Sequence, residues 1–248
     1  MSLEVRHLVK HFGGVKAVDG VSFRVEPGEC VALIGPNGAG KSTCFSAIAG
    51  QYPVTSGEVL WEGEPIHGLE PAARLRRGVA RTFQVAQVFE ALTAAQNVEL
   101  AVQASRGPRA ISMFRPLSSK DDGSHSLLKG VGLEDLADAE ALSLPYGAKK
   151  RLELAIALAS QPRLLLLDEP AAGLAEAERG ELVQLFKRLA SQGMAVLYTE
   201  HNMDAVQGVA DRVLVLIEGQ LAAQGSFEEI SKDPMVRQRY LGEGAGHA

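Results

Sequence analysis

Residues 35–43 read GPNGAGKST and satisfy the pattern G-x-x-x-x-G-K-[ST]. Such a match constrains the fold only when a strand leads in and a helix leads out. Both flanks are present here. The β-rich run Cys30–Ile34 enters the segment, and a helical stretch, Lys41–Ala49, leaves it and stops at Gly50. Gly35, Gly38 and Gly40 let the backbone turn its N–H groups inward and approach an anion closely. The helix start adds the positive end of its dipole. Lys41 offers a point charge to β- and γ-phosphates, and Ser42 offers a hydroxyl to Mg²⁺. A chance glycine-rich turn is the bland alternative, and two correct flanks argue against it.

The rest of the chain reads as the α/β frame that such a loop needs. Short β-rich runs fall at Leu3–Leu8, Val21–Val25, Glu58–Trp61, Val79–Phe83, Leu164–Leu167, Ala195–Tyr198 and Val213–Ile217. Leu164–Leu167 and Val213–Ile217 are apolar on both faces, as expected of central strands in a covered sheet. Between about 92 and 159 the periodicity is helical, with helices expected at Asn97–Ser105, Ser126–Val131 and Lys149–Ser160 and a loop at Arg106–Gly123. A helical subdomain inserted into an α/β core fits this alternation. Ser226 to Glu229 reads as a capping box, and Pro234 as the first residue of a further helix. The expected organisation is one domain, with a core over 1–91 and 160–225, a helical subdomain over 92–159, and C-terminal helices and tail over 226–248.

Leu164–Leu167 ends in Asp168 and Glu169. Ligands in open α/β sheets bind at the carboxyl ends of strands. Asp168 can therefore orient a Mg²⁺ shell, and Glu169 can polarise an attacking water. Composition excludes little else. A net charge of -5 gives no reason to expect nucleic acid as a partner. Two cysteines, Cys30 and Cys44, suit reduced thiols in the cytosol. No apolar run reaches the roughly 20 residues that cross a bilayer, and the first residues lack a signal-peptide core. Any membrane role is expected to run through a partner.

With these segments in order, the chain resembles the ATP-binding subunits of ABC transporters over nearly its whole length. The resemblance implies a P-loop NTPase (RecA-like) core, an antiparallel β subdomain and an inserted α-helical subdomain. It assigns further roles. Phe12, in KHFGGVKAV, would stack on adenine, with Val18 packing against the same ring or the ribose. Asn37, Gly38, Ala39, Gly40, Lys41, Ser42 and Thr43 would hold the nucleotide. Gln84 takes the place of the family's Q-loop glutamine and would join Ser42 and Asp168 at the metal. His201, in VLYTEHNMD, takes the place of the switch histidine, with Glu169 as the base. HFGGVKAVDGVSF, GVARTFQ, DEPAAGL and YLGE resemble the branched-chain amino-acid importer type in particular.

Two segments depart from the family pattern. The signature segment L-S-G-G-Q becomes Leu144-Pro145-Tyr146-Gly147-Ala148, in which Pro145 has neither hydroxyl nor N–H to offer across a dimer. Lys149 and Lys150 beside it would add positive potential. The D-loop S-x-L-D becomes Ala172-Gly173-Leu174-Ala175. The resemblance implies ATP and Mg²⁺ as cofactors. The implied partners are a second ATP-binding subunit, membrane permease subunits and, indirectly, a periplasmic solute-binding protein. The place implied is the cytoplasmic face of the membrane. A cytosolic ABC ATPase without a transport role and a weakly hydrolysing regulatory subunit are the rival readings.

Overall fold

The computed structural model describes residues 2–82, 86–106, 123–201 and 203–241. The chain opens with the strands β1 (Leu3–Phe12) and β2 (Val15–Val25), then β3 (Cys30–Ile34) and α1 (Lys41–Ala49). Next come β4 (Ser56–Trp61), β5 (Glu64–Pro65), α2 (Pro71–Arg76) and β6 (Val79–Arg81). Helices α3 (Ala94–Ser105), α4 (Ser124–Gly130) and α5 (Tyr146–Leu158) precede β7 (Leu164–Leu167). The chain continues through α6 (Glu176–Ser191), β8 (Ala195–Thr199), β9 (Arg212–Ile217) and β10 (Gln220–Gly225). Two short helices, α7 (Phe227–Lys232) and α8 (Pro234–Val236), and a π-helical turn over Arg237–Leu241 follow.

Among the described residues two sheets form, an antiparallel one in the order β2-β1-β4-β5 and a larger one in the order β10-β9-β3-β8-β7-β6. In the larger sheet β9, β3, β8, β7 and β6 are mutually parallel, and β10 runs antiparallel to β9. The central strands are apolar on both faces because both faces are covered. Cys30, Ala32, Ile34, Leu165, Leu167, Val196 and Tyr198 join one core, with Leu152, Leu182 and Phe186 from α5 and α6. The alternate residues Val31, Leu33, Leu164, Leu166, Ala195 and Leu197 join a second core, with Phe45 and Ile48 of α1 and Leu3, Val5 and Leu8 of β1. A side-chain period of two thus splits each strand between two cores. On the first side, α3, α4 and α5 pack on one another.

β3, β7 and α1 match their expected bounds, whereas other elements are extended, shifted or shortened: α4 starts and stops earlier than expected, and α5 ends at Leu158. β1 continues to Phe12 and β2 begins at Val15, through polar residues whose pairing is interrupted by bulges between Val5 and Leu8 and between Leu8 and Lys10. Cross-strand hydrogen bonds, rather than alternation, sustain these ends. α3 begins at Ala94, capped by Thr93 and Gln96, and α5 begins at Tyr146 rather than Lys149 because Pro145 serves as its N-cap. The half-exposed β10 and the short α2 carry too little apolar pattern to have been expected. The expected box Ser226–Glu229 does cap α7, and Pro234 opens α8.

The end of α1 is fixed by a buried cation. Arg74 of α2 is 1% exposed, and its guanidinium donates to the carbonyls of Leu69, Ala47, Ile48 and His67. Two of those carbonyls belong to the last turn of α1, where a helix runs out of its own donors; the Gly50 amide also reaches Ala47 O. Burial pulls the Arg74 guanidinium down to about 10, but it remains charged near neutrality. Arg74→Met should cost about 3 kcal/mol by leaving buried carbonyls unpaired, read as a lowered urea midpoint with an unchanged m-value.

Candidate active site

The parallel strands β3, β8 and β7 end on one edge of the sheet, which brings three distant pieces of sequence together. A depression of ≈ 450 Å³ at this edge is lined by Val15–Ala17, Asn37–Thr43, Glu169, His201, Glu218 and Gly219. That volume suits a small-molecule site.

The loop between β3 and α1 is shaped by its glycines. Gly40 has φ 93°, and a Cβ there would lie 2.1 Å from the Ala17 carbonyl oxygen; at Gly35 it would lie 2.0 Å from that of Leu216. Gly40 is the N-cap of α1 and supplies no side-chain cap to the first-turn amides. Lys41 is 5% exposed and folds its Nζ back on the loop, 2.6 Å from Gly35 O and 2.9 Å from Pro36 O. Burial holds its ammonium below the ordinary lysine value, and the charge of Glu169 partly offsets this. Ser42 is exposed and Thr43 half-buried, both at the depression.

The acids sit at the ends of β7 and β8. Asp168 Oδ1 accepts from Thr199 Oγ1 at 2.9 Å, and Oδ2 accepts from Arg81 Nη2 at 2.8 Å. Thr199 also accepts from the Glu169 amide at 2.8 Å, tying β8 to the turn after β7. Glu169 is left-handed, with φ 44°, a conformation that costs a non-glycine residue about 1–3 kcal/mol and is found at active sites. Its Oε1 lies 2.5 Å from His201 Nε2. Glu200, 4% exposed, accepts from the Ala171 and His201 amides, and Tyr240 donates to the His201 carbonyl at 3.1 Å. Thr199, Glu200, Tyr240 and Arg81 were not singled out from the sequence. The only local signal was a polar triplet, Thr199–His201, closing an apolar strand.

Other expected residues fall elsewhere. Phe12 does not line the depression; it pairs across the hairpin with Val15, which does, and is 45% exposed, with Lys10 Nζ 4.7 Å from its ring centroid and Tyr52 edge-on at 5.4 Å. Val18 is a correction. It is 0% exposed in the core beneath β2, so it cannot pack on a base or ribose; Val15, Lys16 and Ala17 line the depression instead. Gln84 lies outside the described residues. Leu144, Pro145, Tyr146, Gly147 and Ala148 do not line the depression. Leu144 and Ala148 join the core, while two others pack on the segment after Glu169: the Tyr146 ring lies against Gly173, and Gly147 faces the Glu178 carboxylate so closely that a Cβ would meet it at 2.4 Å. Glu178 also accepts from the Ala175 amide at 3.3 Å, while Ala175 has no side-chain acceptor for the first-turn amides of α6. Lys150 is buried beside Glu153, and its ammonium, lowered by burial, is supported by Glu153, Asp168 and Glu169. Its charge therefore serves acids of its own subunit.

Among the described residues no group of three or more His, Cys, Asp or Glu could hold a metal ion. A cation here would need phosphate oxygens alongside one carboxylate and one hydroxyl, which is how Mg²⁺ is usually held at nucleotides. Ser42 and Asp168 fit that donor chemistry.

Strand, phosphate loop, helix and a carboxylate pair at a nearby parallel strand end define a P-loop ATPase. The chain belongs to the ABC transporter family, whose model matches residues 18–172, and it is an ATP-binding, ATP-hydrolysing subunit of that family. It is 37% identical to the high-affinity branched-chain amino acid transport ATP-binding protein BraF of Pseudomonas aeruginosa, over 97% of this chain and 98% of BraF. It is 38% identical to LivG of Escherichia coli K12, described in the same words, with the same coverage of each chain. The ADP conformation of the cassette MJ1267 superposes with a TM-score of 0.86 at 30% identity, covering 98% of this chain and 99% of that one. The cassette MJ0796, as a dimer bound to ADP and Pi, gives 0.77 at 25% identity, covering 91% and 98%. Among the described residues no helix is long and apolar enough to cross a membrane.

Gly40→Ala would force a Cβ into the Ala17 carbonyl and strain a left-handed backbone. ATP affinity should fall at least about tenfold, measured by titration with a fluorescent ATP analogue, and the thermal midpoint should fall by several degrees as well.

Proposed function

We propose that this chain is one of two ATP-binding subunits that close head to tail over two ATP molecules and thereby power an importer for branched-chain or related amino acids. The contact between Glu169 and His201 at the mouth of the phosphate loop carries this reading. A carboxylate and an imidazole in contact beside the phosphate loop support general-base activation of a water there. Phe12 holds adenine. Asn37, Gly38, Ala39, Gly40, Lys41, Ser42 and Thr43 take the phosphates. Ser42, Asp168 and Gln84 hold Mg²⁺, which neutralises phosphate charge when bound. Glu169 takes the proton from water, and His201 orients Glu169 and contacts the γ-phosphate. The segment Leu144 to Ala148 serves the partner's nucleotide through its exposed residues Pro145 and Tyr146.

ATP drives closure because it binds the closed pair more tightly than the open one. Permease subunits of the membrane receive that motion on the cytoplasmic face, and a periplasmic solute-binding protein delivers the solute. The names of BraF and LivG support the solute class. A weakly hydrolysing regulatory subunit is the second reading, favoured by Pro145 and Ala175, which remove groups from the surface offered to the partner.

Glu169→Gln should leave the affinity for ATP within about twofold and cut turnover at least about a hundredfold, while a closed dimer accumulates on size-exclusion with ATP. Turnover equal to the unsubstituted protein would remove Glu169 as the base. Cells lacking this subunit should lose uptake of labelled leucine, isoleucine and valine, and regain it with the intact gene but not with the Glu169→Gln form. Unchanged uptake of all three would exclude that solute class.

A further inference from the structure

Asp168 does not line the depression, although Glu169 beside it does. Both of its oxygens are engaged by the protein, one by Thr199 and the other by Arg81 at the end of β6. The Arg81–Asp168 pair is 2.8 Å long, with the two side chains 13% and 11% exposed. The guanidinium also lies 5.0 Å from the Phe45 ring centroid and donates from Nε to the Thr82 carbonyl. Arg81 is thus fixed between the phosphate-loop helix, β7 and the strand that runs toward Gln84. A cation drawn to Asp168 would share a carboxylate whose oxygens already accept from Thr199 and from Arg81.

We propose that Arg81 is a resident counter-charge that competes with the divalent cation for Asp168, so that metal arrival loosens the end of β6. This rests on the assignment of Asp168 to the metal shell. Two cations on one partly buried carboxylate repel each other, so Arg81 lowers the contribution that Mg²⁺ makes to nucleotide binding. Without the metal, the same charge supports the carboxylate that would otherwise face the triphosphate. Arg81 is therefore a positioning residue that makes metal occupancy felt at the strand leading to Gln84. A strut with a purely structural role would contribute to stability alone and leave metal dependence untouched.

The readout is the ratio of dissociation constants for a non-hydrolysable ATP analogue in EDTA and in saturating Mg²⁺. Arg81→Gln keeps a donor and removes the charge, and should raise that ratio about tenfold. An unchanged ratio in a folded Arg81→Gln protein would overturn the proposal. If that variant does not fold, Arg81→Lys decides, because its shorter arm keeps a charge at a longer distance. It should raise the ratio about two- to threefold, and no change there would equally overturn the idea. Asp168→Asn separates the two levels of the argument. It should abolish most of the metal dependence by itself and make Arg81→Gln silent in the same chain. If Asp168→Asn leaves the ratio untouched, the metal assignment fails. If it lowers the ratio but Arg81→Gln does not raise it, only the competition fails.

Discussion

The phosphate loop is held in place by main chain lying against main chain. Gly35 and Gly40 leave no room for a side chain against the carbonyls of Leu216 and Ala17. The Gly219 amide donates to the Ala39 carbonyl at 3.0 Å, and the Asp19 amide donates to the Gly219 carbonyl at 2.8 Å. The turn between β9 and β10 therefore sits between the loop and the antiparallel hairpin. One edge of contact joins both sheets to the loop, and α1 is secured at its far end by Arg74. The rigidity that positions amides for an anion comes from this three-sided clamp.

Around that clamp the molecule concentrates charge and balances it locally. Asp168, Glu169 and Glu200 lie at adjacent strand ends, with Arg81, Lys41 and Lys150 within electrostatic reach. Thr199 holds Asp168 and the Glu169 amide at once, so the geometry of the acids depends on β8 as much as on β7. The segments that differ from the family pattern are coupled to each other as well. Tyr146 and Gly147 rest on Gly173 and Glu178, and Glu178 in turn accepts from the Ala175 amide. The altered signature and D-loop segments thus form one packed unit.

Much of this was legible in the sequence because it is local. The loop GPNGAGKST, the strand before it and the helix after it occupy consecutive residues, and each obeys a short-range rule. The apolar runs of β3 and β7 announce strands covered on both faces. The capping box at Ser226 works through a single turn. Less legible were the ends of β1 and β2, which polar residues extend through cross-strand bonding, and β10, which is recruited by β9. Val18 illustrates the limit most plainly. One residue from Ala17 at the depression, it points to the opposite face of its strand, and a family position alone does not reveal the bulges that set that parity.

The sequence by itself determined the existence and chemistry of the phosphate loop, the layered α/β class, and the acids that end β7. Only the tertiary structure decided that Glu169 meets His201, that Arg81 holds Asp168, that Lys150 turns inward, and that Phe12 stands edge-on to Tyr52. The reason is strand order. β3, β8 and β7 are neighbours in space but not in sequence, and their parallel alignment places three separated segments on one edge. Local propensity fixes what each segment is, whereas pairing across the sheet fixes which segments become neighbours.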